Sequence, residues 1–355
     1  MSVHFKNTVK VASVYAGTIL GAGFASGQEI LQFFIVYGEE SIYGIILSAL
    51  LFALIGAGVL NKIYRHNICS YDQYVFPLIG KKMGRFVEIL VCLFMLSSFC
   101  VMTAGSGAIF YEEMGLSKRL GIIVMVLLCL IVFLNDIKGV VLVNSILAPM
   151  MSAGIIILGC YILIVRDCGV LSMMHLAKQA VYNWFSSSLV YVSYNTLTIV
   201  VIMTALSPIL TKRSVAVMGG LIGGMSLGIV AGILWMVMML FYSDIISYEL
   251  PLLQIMISQG RAAELIYVCI LYSAMFTTAV ASGYGFLNRI TTRFKVNKNI
   301  CTIGFCLLAI PFAEMGFSNL VKNVYALFGY LGLFMVVVII VDGVKEMIRK
   351  NASIL

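Results

Sequence analysis

Glu29 is the residue whose type and position most directly predict chemistry, because it is a carboxylate at the end of a glycine-rich apolar segment. Each glycine costs roughly 1 kcal/mol relative to alanine inside a helix, and a carboxylate among apolar residues costs more. We therefore predict a break in a helix, at which main-chain groups of Gly21, Ala22 and Gly23 meet a ligand beside Glu29. The segment has four glycines in eleven residues and reads Gly17-Thr18-Ile19-Leu20-Gly21-Ala22-Gly23-Phe24-Ala25-Ser26-Gly27-Gln28-Glu29.

Close packing of small residues against a neighbouring helix is the alternative for this segment. It accounts for Gly17 and Gly21 but not for Gln28 and Glu29. Glu29 has no cation beside it in the sequence, and burial disfavours a charged carboxylate without a partner. We expect Glu29 either to bind an amine of a solute or to exchange a proton. A carboxylate hydrated in an outer vestibule is the other hypothesis.

A second polar patch, Ser186 to Thr196, lies in the middle of a later apolar segment. Tyr191 and Tyr194 are suited to flank a solute, and Ser193 and Asn195 to hydrogen-bond it. The alternative is an unbroken helix whose hydroxyls bond back to their own turns.

Adjacent hydroxyls at Thr277 and Thr278 belong to a third patch, which runs from Ala274 to Ser282. Oxygen ligands suit small hard cations, so this pair is a candidate cation site, although helix hydroxyls that bond back one turn explain it too. Gly139 and Pro149 belong to the fifth apolar segment and are separated by nine residues. A proline inside a helix removes a hydrogen bond and lets the helix open locally.

Other reactive side chains do not cluster. The nine cysteines have no CxxC spacing, the three histidines (His4, His66 and His175) lie far apart, and no GxxxxGK[ST] phosphate loop is present. Metal sites and phosphate loops need their ligands at set spacings. We therefore predict no cofactor beyond a coupling ion, no ATP-driven transport by this chain alone, and no enzymatic activity.

The elements that carry these patches must be transmembrane helices. The 355 residues are 62% hydrophobic and 11% charged, against roughly 25% charged in soluble proteins. A helix needs about 20 apolar residues to cross a bilayer, and the apolar segments predict ten spans. The seventh of them, with glycines from Gly219 to Gly232, is predicted to be a packing face. The spans are 8–37, 41–63, 84–111, 118–134, 140–165, 176–207, 214–242, 262–290, 299–315 and 320–347.

Ten spans place both termini on the same side of the membrane. With the termini inside, 17 of the 23 Lys and Arg residues are cytoplasmic and six are outside, as the positive-inside rule requires. We predict a multi-pass protein of the cell membrane with cytoplasmic N- and C-termini, in contact with the lipid bilayer. The basic residues form no stripe with interleaved aromatics, so nucleic acid is not a predicted partner.

The glycine-rich break and the serine-rich patch lie five spans apart, in the first and sixth spans. Two interrupted helices in corresponding places of two halves indicate the binding site of a secondary transporter. We therefore predict one all-α transmembrane domain over residues 1–355. It is a 5+5 inverted repeat, with halves at about 8–165 and 176–347, in which helices 1 and 6 are broken.

These residues resemble the LeuT-fold, or APC superfamily, of secondary transporters. Gly21 to Glu29 is most similar to the YkvI-type membrane proteins, distant relatives of the branched-chain amino-acid carriers. Gly17 to Gly23 resembles the family's unwound first helix, Ala274 to Thr278 its sodium motif, and Gly139 to Pro149 its inner-gate element. The resemblance implies a sodium ion held by the Gly17, Leu20 and Ala274 carbonyls and the Thr277 and Thr278 hydroxyls.

The sequence therefore predicts a secondary active transporter, coupled to sodium or protons, that moves a small polar solute such as an amino acid or a related compound by alternating access. The rival hypothesis is a transporter-like membrane sensor that binds a solute without moving it. Since a sensor needs no coupling ion, Thr277 and Thr278 favour the carrier.

Overall fold

The computed structural model describes residues 3–134, 153–164, 183–294 and 297–352, and every regular element in them is a helix. The elements include a 3-10 helix, Ile35–Glu40, and a π turn, Val321–Tyr325. The α-helices are α1 (Val3–Ile19), α2 (Ala22–Ala25), α3 (Gln28–Phe33), α4 (Ser41–His66), α5 (Tyr71–Glu112), α6 (Lys118–Leu134), α7 (Ala153–Ile164), α8 (Trp184–Ala205), α9 (Arg213–Leu240), α10 (Tyr242–Ile245), α11 (Pro251–Ser258), α12 (Arg261–Phe294), α13 (Lys298–Ala313), α14 (Phe317–Leu320) and α15 (Ala326–Ala352).

The bundle has the surface of a membrane protein. Large apolar side chains face outward, among them Leu54, Ile229 and Leu308 at 63–65% exposure, as expected where lipid rather than water covers the helices. Six helices in the described residues are long and apolar enough to cross a membrane. Each of the ten predicted ranges contains a helix, while ten spanning helices and an inverted repeat remain predictions. The six helices of the described residues that are long and apolar enough to cross a membrane are Ile35–His66, Tyr71–Glu112, Trp184–Ala205, Arg213–Leu240, Arg261–Thr291 and Phe317–Gly343.

The glycines of the seventh predicted span bring α9 against α4. A Cβ added at Gly224 would lie 2.3 Å from the Ala53 nitrogen, and one at Gly220 would lie 2.4 Å from the Gly56 carbonyl carbon. Only glycine permits main chains to approach this closely. The predicted packing face is therefore confirmed, except at Gly232, where a Cβ would meet open space.

The first predicted span is interrupted at the glycine-rich segment. α1 ends at Ile19, α2 has four residues, and α3 starts at Gln28. Gly27, between α2 and α3, has φ +81°, a left-handed conformation that side chains disfavour. The break predicted for helix 1 is therefore present.

The sixth span differs from its prediction, because α8 is one uninterrupted helix from Trp184 to Ala205. Its polar side chains bond to the preceding turn, with Ser188 donating to the Trp184 carbonyl at 2.7 Å and Thr196 to the Val192 carbonyl at 2.7 Å. These bonds satisfy the hydroxyls without opening the helix. The expected break of helix 6 is wrong for this stretch.

Two further predictions concern the start of the third span and the fifth span. The third span was expected to start at residue 84, but α5 starts at Tyr71, capped by the Ser70 hydroxyl, and bends at Gly80, where φ is +77°. Gly139 and Pro149 lie outside the described residues, as do the rest of 135–152 and the connector at 165–182.

Charged side chains join the connectors at each end of the bundle. Arg261 pairs with Glu113 at 2.9 Å, and Lys118 pairs with Glu249; the sequence places all four on the outer side. At the opposite end, Lys62 pairs with Asp342 at 2.5 Å. The outer connectors predicted to share a side therefore meet one another, and α4 and α15 are joined near their ends at the other side of the bundle.

Candidate functional site

Hydrogen-bond donors from other helices, one side chain and one main-chain N–H, stabilise the break on its C-terminal side. The Tyr267 hydroxyl donates to the Ala25 carbonyl, and the Leu252 N–H donates to the Ser26 carbonyl at 3.1 Å. The last four carbonyls of a helix have no hydrogen-bond partner within that helix. α11 and α12 thus replace hydrogen bonds that an unbroken first helix would have made.

The N-terminal side of the break leaves carbonyls without such partners. The Leu20 N–H donates to the Ala16 carbonyl at 2.9 Å, and the Gly21 N–H turns back to the Ile19 carbonyl at 2.7 Å. Among the described residues, no main-chain N–H donates to the carbonyl of Gly17 or Leu20. Both carbonyls belong to the predicted sodium ligands.

A cavity of about 150 Å³ lies against this break. It is bounded by the break, by α5, α8 and α12, and by the π turn that precedes α15. Seven predicted site residues line it: Gly21, Ala22, Gly23, Glu29, Tyr194, Asn195 and Thr278. Segments that are far apart in sequence therefore converge on one space.

Glu29 is the charged residue of this cavity and is only 5% exposed. One carboxylate oxygen, Oε1, would be 2.2 Å from a Cβ added at Gly23, so the carboxyl group lies directly against that glycine. The other oxygen, Oε2, has no hydrogen-bond partner in the described structure. The Tyr194 side chain lies beside the carboxyl group, yet its hydroxyl also lacks a well-formed hydrogen bond.

Three aromatic rings line the cavity next to Glu29. The Tyr194 ring centroid lies 5.0 Å from that of Tyr325 and 5.9 Å from that of Phe94, and Phe94 and Tyr325 are 5.6 Å apart. Tyr325 ends the π turn Val321–Tyr325, and such turns are frequent at functional sites.

Thr278 connects the cavity to the predicted ion site. Its hydroxyl oxygen would lie 3.4 Å from a Cβ on Gly21, so α12 meets the first span at the break. The neighbouring Thr277 is buried and donates to the Ala274 carbonyl at 3.0 Å, which is the back-bonded arrangement. Leu20 and Ala274 are buried as well, whereas Gly17 is exposed.

Tyr191 and Ser193 do not line this cavity. Tyr191 packs among Phe33, Phe34 and Phe52, with ring centroids 5.0–5.8 Å away. Ser193 donates to the Leu189 carbonyl at 2.6 Å. Both residues therefore lie behind the cavity wall.

Other lining residues carried no clear signal in the sequence. Ser98 stood beside Ser97 in a pair typical of packing, and only Ser98 faces the cavity. Tyr325 sits in an apolar segment without a polar motif, so its position depends on the fold. The additional lining residues are Thr18, Ile19, Phe94, Met95, Ser98, Met102, Thr198, Ile202, Ala281, Ser282 and Tyr325.

The most exposed residues that line the cavity lie toward one end of the bundle. Ile202 is 36% exposed and Ala281 is exposed, whereas Glu29 and Tyr194 are buried. Ile202 lies near the end of α8 that leads to Thr211, and the Thr211 hydroxyl is 3.4 Å from the His4 ring. This is the end predicted to be cytoplasmic.

These features define a helical membrane protein with the fold of membrane transporters. No family model matches the chain. It is similar to the uncharacterized membrane protein YkvI of Bacillus subtilis, with 29% identity over 328 residues, which are 91% of this chain and 92% of the relative. The resemblance to YkvI-type proteins is thereby confirmed.

Solved transporter structures share the fold. The Eremococcus coleocola manganese transporter superposes with a TM-score of 0.67 and 15% identity, covering 96% of this chain and 79% of that one. A Na⁺-coupled sialic acid symporter gives 0.59 and 14%, covering 93% and 78%. MhsT, in complex with L-phenylalanine, gives 0.62 and 15%, covering 92% and 87%. The first two are named as transporters, and at 14–15% identity the likeness shows a shared fold.

Proposed function

We propose that this chain is a secondary active transporter that moves a small polar solute through the cavity at the break of the first span. The observation that carries the proposal is the convergence of the break, Glu29, Tyr194 and Thr278 on one space. Such a space between discontinuous and continuous helices is where secondary transporters bind their cargo. Alternating access requires this space to open to each side of the membrane in turn.

An amino acid or a related compound is the class of solute we favour. The cavity has one carboxylate, aromatic rings and an amide, and the neighbour MhsT was solved with L-phenylalanine. Manganese, the cargo named for another neighbour, is less suited to these residues. Within the described residues no three His, Cys, Asp or Glu side chains come together as metal ligands do.

Sodium or protons are the coupling ions that this proposal includes. For sodium, the ligands are the carbonyls of Gly17, Leu20 and Ala274 and the hydroxyls of Thr277 and Thr278. The support is the lack of main-chain donors to the Gly17 and Leu20 carbonyls and the place of Thr278 beside the break. For protons, the acceptor is Glu29. The protein works in the cell membrane, with both termini cytoplasmic.

Uptake into proteoliposomes tests the proposal. Purified protein is reconstituted, and accumulation of radiolabelled amino acids and amines is measured with an inward sodium gradient, with an inward proton gradient, and with neither. We expect gradient-dependent accumulation of at least one solute. Thermal stabilisation by a solute, which is about 2.7 kcal/mol at a hundredfold excess over Kd, identifies binding separately. Binding without any accumulation or exchange would support the sensor instead.

A further inference from the structure

The Glu29 carboxylate occupies the place in which the anionic end of a cargo would meet the broken helix. In transporters with discontinuous helices, the carboxylate of the cargo docks at the main-chain groups of such a break. Here, Glu29 Oε1 lies so close to Gly23 that a Cβ there would be 2.2 Å away. A second carboxylate brought to Gly23 would meet this one, and two like charges in a buried site repel strongly.

The lining residues supply no compensating positive charge. Among the described residues around the cavity, none is lysine, arginine or histidine. Glu29 is 95% buried, since only 5% of its surface is exposed, and its Oε2 has no partner. A buried carboxylate is stabilised by a cation that enters with its own hydrogen-bond donors.

The aromatic rings beside Glu29 suit the same kind of group. Phe94, Tyr194 and Tyr325 line the space next to the carboxylate with centroid separations of 5.0–5.9 Å. Aromatic faces attract ammonium groups, and the attraction strengthens where water is excluded. A carboxylate bordered by rings therefore favours an ammonium ion over a neutral or negatively charged group.

The volume of the cavity sets the size of the occupant. An apolar protein cavity of about 150 Å³ holds benzene, which has six non-hydrogen atoms, and this cavity also measures about 150 Å³. Its other walls include the apolar side chains of Met95, Met102 and Ile202. The space thus fits an amine with a short apolar chain.

We propose that the cargo is a small organic ammonium ion without a carboxylate of its own, whose charge is neutralised by Glu29. The inference rests on the proposed transport function and narrows its solute class, an amino acid or a related compound, to the related amines that lack a carboxylate. Glu29 then acts as a fixed counter-charge, so an amino acid brings one negative charge too many. Zwitterions are disfavoured because their carboxylate is repelled by the Glu29 carboxylate. Neutral solutes are disfavoured because they leave the Glu29 carboxylate without a counter-charge.

Ligands matched in size test this proposal on the full-length protein in detergent. The probe is 3-methylbutylamine hydrochloride, which has six non-hydrogen atoms. 3-Methylbutan-1-ol has the same shape without charge, alanine has the same number of atoms with a carboxylate, and leucine has the same side chain with a carboxylate. Sodium chloride and potassium chloride at equal concentration control for ionic strength. We expect the amine to raise the thermal midpoint, with a Kd at least tenfold lower than that of any comparison compound.

Variants assign the effect to Glu29. Glu29→Gln should raise the Kd of the amine at least tenfold, whereas Asp244→Asn, which neutralises an exposed carboxylate away from the cavity, should leave it unchanged. If Glu29→Gln does not fold, Gly23→Ala is the variant that tests the role of Glu29. Its methyl group must displace the Glu29 carboxylate, so it should weaken amine binding as well.

Four outcomes would overturn the proposal: no stabilisation by the amine, equal stabilisation by potassium chloride, binding of alanine, leucine or the alcohol as tight as that of the amine, or an unchanged amine Kd in the deciding variant. The transport function fails separately. If the amine binds through Glu29 but is neither accumulated nor exchanged in proteoliposomes, the ligand class stands and transport does not. If amino acids are accumulated and the amine does not bind, transport stands and the ligand class is wrong.

Discussion

Gly27 is the residue at which the break depends most directly on the absence of a side chain. Its φ of +81° is left-handed, and a Cβ there would lie 2.7 Å from Leu252 Cγ. A left-handed conformation costs other residues roughly 1–2 kcal/mol, and the clash with α11 adds to that. We expect Gly27→Ala to destabilise the protein by about 2 kcal/mol or more, as a lower midpoint of thermal unfolding in detergent.

Gly58→Ala is the matched control for that substitution. Gly58 lies inside α4, and a Cβ there would meet nothing within 4 Å. Alanine is the better helix former by about 1 kcal/mol, so this variant should be as stable as the wild type or more so. Equal midpoints for the two variants would show that the break does not need glycine at residue 27.

Thr278 is the residue whose hydroxyl tests the coupling ion. Dehydrated sodium needs about five or six oxygen ligands, and a lost hydrogen-bonding contact to a charged group costs about 1.5–3 kcal/mol. We expect Thr278→Ala to weaken sodium-dependent stabilisation or uptake about tenfold or more. A sodium titration of the thermal midpoint, with potassium replacing sodium, measures the effect.

Thr291→Ala provides the comparison within the same helix. Its hydroxyl donates to the Leu287 carbonyl at 2.8 Å, and Thr291 lies beyond Ser282, the last residue of α12 that lines the cavity, so its loss should not alter the response to sodium. The same solute response in potassium as in sodium, for wild-type protein, would exclude sodium coupling and leave Glu29 as the acceptor of a coupling proton.

Residue type alone distinguished some site residues better than others. Glu29 was predictable because a carboxylate beside glycines in an apolar segment has few purely structural explanations. Tyr191 and Ser193 share a polar patch with Tyr194 and Asn195, and only the latter two line the cavity. Their directions follow from the rotation of α8 against α1 and α5, which one helix's sequence does not specify.

At the scale of elements, local chemistry predicted where a helix stops but not where a polar helix continues. Glycines lower helix stability through the main chain itself, so the interruption after Ile19 was predictable. Serine and threonine in α8 instead bond within the helix, as Ser193 does to Leu189. Serine and threonine are compatible with a broken helix and with a continuous one, and packing against neighbouring helices determines which of the two forms.

The contact of α4 with α9 yields a prediction at the element scale. A Cβ at Gly224 would lie 2.3 Å from the Ala53 nitrogen, so α4 and α9 must separate to admit a methyl group. Overpacking of this kind costs about 1–3 kcal/mol. We expect Gly224→Ala to lower the thermal midpoint, measured by unfolding of the purified protein.

Gly232→Ala is its control, because Gly232 is in the same helix and a Cβ there has open space. This variant should match or exceed the wild type in stability. If Gly224→Ala is as stable as Gly232→Ala, then the two helices do not touch through their main chains at this point.

At the scale of the whole molecule, the predicted sidedness of the connectors agrees with the contacts between them. Glu113 at the end of α5 pairs with Arg261 at the start of α12, and Lys62 at the end of α4 pairs with Asp342 in α15. Groups on opposite sides of a bilayer about 30 Å thick could not make such contacts. These contacts agree with the predicted arrangement of the outer connectors, and the absolute orientation remains a prediction from the positive-inside rule.

Cysteine labelling in intact cells tests that absolute orientation. Cys69 is exposed and lies in the connector between α4 and α5, which we place in the cytoplasm, and Ser117 is exposed in the connector between α5 and α6, which we place outside. Each labelled chain keeps a single cysteine, at residue 69 or at residue 117, and its other cysteines are replaced. A membrane-impermeant maleimide should label Ser117→Cys in intact cells, and it should label Cys69 only after the cells are permeabilised. Both positions are exposed in the folded protein, so a difference in labelling reports the membrane rather than burial.

Labelling of Cys69 in intact cells would reverse the topology. The exposed side of the cavity lining, which lies at the Cys69 end of the bundle, would then face outward, and the orientation drawn from 17 basic residues against six would be wrong.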